Sequence, residues 1–257
     1  MDWRAPLLED KVALITGAGS GQGRAAAEAF AAHGARIAVI DIQDAGAHET
    51  VERIRKAGGE ALAVHADVSR RGDCDKMVQA AVDQWGRLDV LYNNAAVQMS
   101  GSVTACTEEE WDRTLATNLS AIFWACRAAL PHMLERGGSI INTASTLGLI
   151  GSEGFAAYGS AKAGLVALTR SIAVEYAPKV RANVIAPGSI DTPRFRRVLE
   201  KTPGVDQFMA GLLRNIPQKR LGLADDVAGV ALFLASDLSA YTSGCVVPVD
   251  GGLAALR

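Results

Sequence analysis

Residues 16–23 read TGAGSGQG, four glycines in eight positions, between the apolar run KVALI (11–15) and the alanine-rich stretch RAAAEAFAAHG (24–34). Glycine lets the chain turn sharply and brings backbone N–H groups close to a ligand, while the helix that follows offers the positive end of its dipole to an anion. A strand, a glycine turn and a helix in that order mark the first βα crossing of an open parallel sheet, where dinucleotides bind. A tight turn with no ligand is the other use of the same glycines.

The same rhythm runs along the chain. Apolar runs rich in Val and Ile, KVALIT (11–16), RIAVID (36–41), ALAVHA (61–66), LDVLY (88–92), GSIINT (138–143) and VRANVIA (180–186), alternate with stretches of helical period, and CVVPVD (245–250) closes the series. Strands that are nearly continuous in apolar residues are buried on both faces, which predicts a parallel sheet covered by helices on each side. One segment departs from the rhythm: residues 192–222, TPRFRRVLEKTPGVDQFMAGLLRNIPQKRLG, hold three of the eight prolines and a dense arginine patch. A connection of that length inside a compact domain is usually functional or mobile.

Composition limits the function classes. The 257 residues are 49% hydrophobic and 21% charged with a formal net charge of -2, the profile of a globular protein with one sizeable core. No basic field is present for nucleic acid, and the arginines and lysines are scattered. The start MDWRAPLLEDK shows no pattern of a secretory leader and no apolar run is long enough to span a bilayer, so a cytoplasmic protein is expected. Cys74, Cys106, Cys126 and Cys245 form no CxxC pair, which predicts small buried side chains, no disulfide framework and no metal site.

Asp41 ends the second run, where an acid can accept hydrogen bonds from both hydroxyls of an adenosine ribose. A helix-capping aspartate is its other reading. With Thr16-Gly17-x-x-x-Gly21-x-Gly23, Asp67-Val68, the NNA of residues 93–95, Asn118, Ser145, Tyr158 with Lys162 and Pro187-Gly188, the chain resembles the short-chain dehydrogenase/reductase family over nearly its whole length. The resemblance implies a single-domain, doubly wound Rossmann fold over residues 1–257, with a parallel seven-stranded sheet in the order 3-2-1-4-5-6-7 and residues 193–222 as a substrate-binding lid.

Tyr158 and Lys162 lie four apart in a helical stretch, so they share one face, and an ammonium near a phenol favours the phenolate. Tyr158 is therefore predicted to exchange a proton near neutral pH. Ser145, at the end of the run GSIINTAS, would hydrogen-bond the same substrate oxygen. By resemblance, Asn118 would hold a water that links Lys162 to solvent.

The resemblance also implies the cofactor contacts. Gly17, Ser20, Gly21, Gln22 and Gly23 would cradle the phosphates; Asp41 and Ile42 would meet the adenosine ribose; Asp67 and Val68 the adenine; Asn94, Ala95 and Ala96 the ribose and cofactor backbone. Tyr158 and Lys162 would also touch the cofactor. Pro187, Gly188, the backbone of Ile190 and the hydroxyl of Thr192 would complete the pocket at the nicotinamide carboxamide. Gln22, Ala96 and Ala144 stand where the family usually has isoleucine, glycine and serine. Gln98, Ser145, Glu153, Phe155, Tyr158, Ser189 and Phe195 are candidates to line the substrate pocket. Arg194, Arg196 and Arg197 read first as a solvated helix face and second as an attractor for an acidic substrate.

Asp41 selects NAD over NADP, and the positions where NADP-using members often carry Arg or Lys, here Ser20, Ile42 and Gln43, are uncharged. The expected reaction interconverts a secondary alcohol and a ketone in a homotetramer, or failing that a dimer, formed through the apolar helices NLSAIFWACRAALPHML and AYGSAKAGLVALTRSIAVEY. Two other classes remain: a non-catalytic NAD sensor, which an intact Ser-Tyr-Lys-Asn set opposes, and an NAD-dependent epimerase or dehydratase, for which the chain after Gly188 is short.

Overall fold

In the computed structural model the glycine-rich stretch joins strand β1 (Val12–Thr16) to helix α1 (Gly21–Ala32), as the sequence predicts. The structure describes residues 6–256. The first five residues of MDWRAPLLEDK, on which the leader reading partly rests, and the last residue of the 1–257 span lie outside them.

The chain continues through β2 (Arg36–Asp41), α2 (Asp44–Lys56), β3 (Glu60–His65), α3 (Arg71–Trp85), β4 (Val90–Asn93), α4 (Glu108–Leu115), α5 (Ala121–Met133), β5 (Gly138–Thr143), α6 (Ala156–Glu175) and β6 (Val180–Pro187). After β7 (Ile190–Asp191), α7 (Pro193–Leu199), α8 (Val205–Asn215), β8 (Gly222–Leu223) and α9 (Ala224–Ala235), β9 (Val246–Val249) completes the sheet. Seven parallel strands stand in the order β3-β2-β1-β4-β5-β6-β9, so the expected topology holds, with β9 as the seventh strand.

Strand β1 shows why Val12 to Ile15 are apolar without a break. Ala13 and Ile15 pack into the layer under α1, α2 and α9, whereas Val12 and Leu14 pack into the layer under α3, α5 and α6. Alternate side chains of a strand point to opposite faces, so a strand covered on both sides needs no polar position. Each large side chain buried there contributes about 1.5–3 kcal/mol relative to exposure.

A second sheet of two short parallel strands was not expected. Ile190 pairs with Gly222 and Asp191 with Leu223, which joins the two ends of the 193–222 segment. The segment itself is not irregular: it carries α7 and α8, the first capped by the Thr192 hydroxyl accepting from the Phe195 N–H at 3.2 Å, with Pro193 at its first position.

Helix α4 starts on a capping box. Thr107 Oγ1 accepts from the Glu110 N–H at 3.2 Å, and a Glu110 carboxylate oxygen accepts from the Thr107 N–H at 3.0 Å. The helix then passes through one π-helical turn, Ala116–Ser120, into α5. That turn carries Asn118.

Candidate active site

The sharp entry into α1 depends on its glycines. Gly17 has φ +65 and Gly21 φ +55, the left-handed region that side chains rarely adopt. A Cβ on Gly23 would sit 2.2 Å from the carbonyl oxygen of Gly17, so the turn closes only without one. Thr16 Oγ1 accepts from the N–H groups of Asn94 and Ala95, both at 3.0 Å, and the Asn94 amide donates to the Thr16 and Gly17 carbonyls at 3.0 and 3.3 Å. The ends of β1 and β4 are thereby locked around the loop.

Asp41 leans over the same turn. Its carboxylate accepts from the N–H groups of Gly19 at 2.8 Å and Gln43 at 2.9 Å. Beside it is a cation that the sequence reading missed: Arg24 on α1 donates to the Gly19 carbonyl, to Thr50 Oγ1 at 3.0 Å and to the Glu49 carboxylate at 2.8 Å. Glu49, held below its ordinary value by its hydrogen bonds to Arg24 and Arg53, neutralises it. Ser20 and Ile42 are exposed at the two sides of this pocket.

The remaining expected cofactor positions are distributed along the carboxyl ends of the strands. Asp67 is half-buried and accepts from the N–H and hydroxyl of Ser69, at 3.0 and 2.7 Å, while Val68 packs against the core. Pro187 ends β6, and the Gly188 N–H donates to the Val249 carbonyl at 3.0 Å. Ile190 is buried in β7. Thr192 has its acceptor occupied as a helix cap and its proton still able to donate.

The structure brings Ser145, Tyr158 and Lys162 together. Ser145 lies just beyond β5, where its Oγ accepts from the Leu147 N–H at 3.2 Å and lies close enough to the Tyr158 phenol to favour its ionised form. Both Tyr158 and Lys162 are buried on α6, and the Lys162 ammonium lies 5.6 Å from the centre of the Tyr158 ring while donating to the Thr143 carbonyl at 2.7 Å. Asn118 is fully buried, its side chain accepting from the Val97 N–H at 3.1 Å and donating to the Val97 carbonyl at 2.8 Å.

Two expectations change. The pull of Lys162 does not set the ionisation of Tyr158: burial pushes the phenol above its ordinary value, opposed by the nearby Arg194 guanidinium and the Ser145 hydroxyl. Burial likewise pulls Lys162 down to about 7, with Arg194 adding to the effect. Desolvation disfavours whichever form is charged, and here it acts on both groups. Secondly, the Asn118 amide is committed to Val97.

The pocket residues divide. Phe155 and Phe195 are half-buried, and Phe155 bridges to Gly101. Ser189 is half-buried with its carbonyl accepting from the Gly222 N–H at 3.0 Å, whereas Gln98 and Glu153 are exposed. Ala96 accepts from Arg194 at 3.1 Å. Of the four cysteines expected to be buried, Cys74 and Cys126 are, and burial raises them to about 11 and about 12, away from the thiolate form, whereas Cys106 is half-buried and Cys245 is exposed at the surface.

A family model described as "Enoyl-(Acyl carrier protein) reductase" matches residues 17–254. The chain is 38% identical over 252 residues to 2-(R)-hydroxypropyl-CoM dehydrogenase of Xanthobacter autotrophicus, covering 96% of this chain and 99% of that one. It is 38% identical over 250 residues to 3beta-hydroxysteroid dehydrogenase 1 of Eggerthella lenta, covering 96% and 94%. The crystal structure of levodione reductase superposes with a TM-score of 0.92 at 35% identity, covering 97% of this chain and all of that one. The chain belongs to the short-chain dehydrogenase/reductase family, and is an oxidoreductase of that family.

That family works with a nicotinamide dinucleotide, and the residues present fit one. The glycine turn can pack against the end of β4 only because Gly17 and Gly23 lack side chains, whose Cβ atoms would meet Ala95 and the Asn94 amide. Gln22, where isoleucine is usual, holds a buried Oε1 to which no described residue donates. An amide oxygen left without a donor there suits a ligand that brings one. Among the described residues no helix is long and apolar enough to cross a membrane.

Proposed function

We propose that this protein is an NAD-dependent oxidoreductase that interconverts a secondary alcohol and a ketone, with Tyr158 as the acid/base. The observation that carries this reading is the buried Tyr158, with Lys162 5.6 Å from its ring centre and the Ser145 hydroxyl beside its phenol at the carboxyl end of the sheet. A nicotinamide cofactor bound here would supply a hydride acceptor or donor. The chain's own residues handle the proton and the position of the substrate.

Ser145 and Tyr158 hold the reacting oxygen between two hydroxyls. In alcohol oxidation the hydroxyl proton passes to the Tyr158 oxygen, and in ketone reduction Tyr158 returns it. Burial keeps Tyr158 protonated without substrate, the form needed for reduction; Arg194 and Ser145 ease its ionisation for the reverse direction. Lys162 fixes the ring's surroundings through Thr143. Asn118, whose amide anchors Val97, would hold its water through the backbone of the π-helical turn. The residues named above at the glycine loop, at Asp41, Ile42, Asp67, Val68 and residues 94–96, and at Pro187, Gly188, Ile190 and Thr192 would hold the cofactor. Absorbance at the NADH band with a panel of secondary alcohols tests the reaction; no turnover with any alcohol or ketone on either nicotinamide cofactor would contradict it and favour a sensor.

The 193–222 segment is assigned as the lid, supported by the β7–β8 pair that closes its base and by Arg194 of α7, which reaches the Ala96 carbonyl at 3.1 Å. A homotetramer belongs to the same reading, supported by Phe123 of α5 and Val174 of α6, 45% and 80% exposed on the two helices expected to pair. Light scattering that returns a monomer at micromolar concentration would contradict it. Small molecules are the expected partners, with neither nucleic acid nor membrane. A cytoplasmic location is supported by four free cysteines, and cell fractionation checks it.

A further inference from the structure

Three arginines of α7 read alike in the sequence, and the structure separates them. Arg196 turns back to Asp191, with hydrogen bonds of 2.7 and 2.8 Å to its carboxylate. Arg197 is exposed. Arg194, exposed like the other two, reaches across the mouth of the site: its guanidinium donates to the Ala96 carbonyl at 3.1 Å and lies near enough to the Tyr158 phenol to favour its ionised form. Among the described residues no carboxylate lies within ion-pair distance of it.

We infer that Arg194 is the specificity-determining residue of this site and receives an anionic group on the substrate, placed one or two carbons from the carbon that reacts. The inference rests on the oxidoreductase reading and deepens it by naming the substrate class: short hydroxy or keto acids, or sulfonates and phosphonates of the same reach. A guanidinium anchored on the Ala96 carbonyl at 3.1 Å, on the Tyr158 side of the site, stands within a substituent's reach of the oxygen that Tyr158 would serve. Its five donors are fixed in a plane and suit a carboxylate or another oxyanion in two-pronged contact. The Ala96 carbonyl uses one of these donors and, among the described residues, no carboxylate neutralises the charge, which leaves the exposed guanidinium at the mouth of the site able to receive an anion.

Position on the lid gives the contact a second use. Arg194 follows Thr192 and Pro193, which set the start of α7 rigidly on the β7–β8 pair. An anion bound to Arg194 therefore ties the lid's first turn to the floor formed by Ala96 and Tyr158. A neutral alcohol of the same shape makes no such tie.

The test uses the full-length enzyme with NAD and four alcohols: 2-hydroxybutyrate, 3-hydroxybutyrate and their methyl esters. Wild type is expected to favour the acids over the esters by at least about a hundredfold in kcat/KM, Arg194→Gln to bring that ratio close to one, and Arg194→Lys to restore part of it. Any effect of Arg194 on the ionisation of Tyr158 changes acid and ester alike and cancels in the ratio. Calorimetry of butyrate, propanesulfonate and propylphosphonate with the NADH complex reads the same site without turnover and shows which head group it takes. Binding of any of them to wild type and its loss in Arg194→Gln support the inference. Wild type that uses acids and esters equally, or Arg194→Gln that lowers both alike, would overturn it while leaving the oxidoreductase reading intact. If no alcohol reacts, the calorimetry decides alone: anion binding that depends on Arg194 upholds the anion site against the failed dehydrogenase reading, and no binding overturns both. A loss of NADH affinity in Arg194→Gln equal to its loss for the anions would assign Arg194 to the cofactor and overturn the inference as well.

Discussion

The Lys162 ammonium donates to the Thr143 carbonyl at 2.7 Å and stands over the Tyr158 ring rather than at its hydroxyl, 5.6 Å from the ring centre. Lysine therefore links helix α6 to the end of β5, two residues before Ser145. Without a cofactor its charge is held in a dry place with a carbonyl and no carboxylate.

That placement makes the stability of the cofactor-free protein depend on pH. Burial lowers Lys162 from 10.5 to about 7, so between those values the unfolded chain binds the extra proton. Stability then rises with pH across that window; the cost of burying the charge is complete below the lower value and fades toward the upper one. Lys162→Met removes the titration. Thermal unfolding should show the variant gaining on wild type most near pH 6.5 and losing more than half of that advantage by about pH 9. A difference in melting temperature that does not change with pH would contradict the account.

Cofactor choice should depend on two acids and not one. Asp41 faces the place where the extra phosphate of NADP would lie, and wild type should prefer NAD by at least about a hundredfold in kcat/KM, since repulsion of a few kcal/mol gives that ratio. Asp41→Ala should lower the preference. Adding Glu49→Gln should lower it further by releasing Arg24, whose guanidinium Glu49 holds at 2.8 Å. Kinetics with each cofactor on the three proteins check this. Equal use by wild type, or a preference untouched by Asp41→Ala, would show that Asp41 does not select.

Local signals made the first half of the site legible. The glycines of residues 16–23 and the alternating packing of β1 depend on neighbours in sequence, and the four-residue step from Tyr158 to Lys162 places both on one helix face wherever that helix lies. What the sequence hid depends on burial and on distant partners. The four-residue step from Tyr158 to Lys162 predicted a lowered phenol, but burial raises it. The β7–β8 pair joins two-residue strands at opposite ends of a long segment, too short to carry a period. Arg24 finds Glu49 on the next helix, and Arg194 finds Ala96 across the sheet, contacts that no spacing within either element announces.

The central claim is that the Tyr158 hydroxyl moves the proton. Its most direct test is to compare wild type with Tyr158→Phe, measuring kcat with the best alcohol found in the panel and, by fluorescence, the dissociation constant for NADH. The ring and its packing remain in the variant, and only the exchangeable proton is lost. The account predicts a fall in kcat of about 10²–10⁴-fold with NADH binding retained. A variant that kept more than about a tenth of wild-type kcat would contradict it, because general acid-base catalysis by Tyr158 cannot then be what drives the reaction.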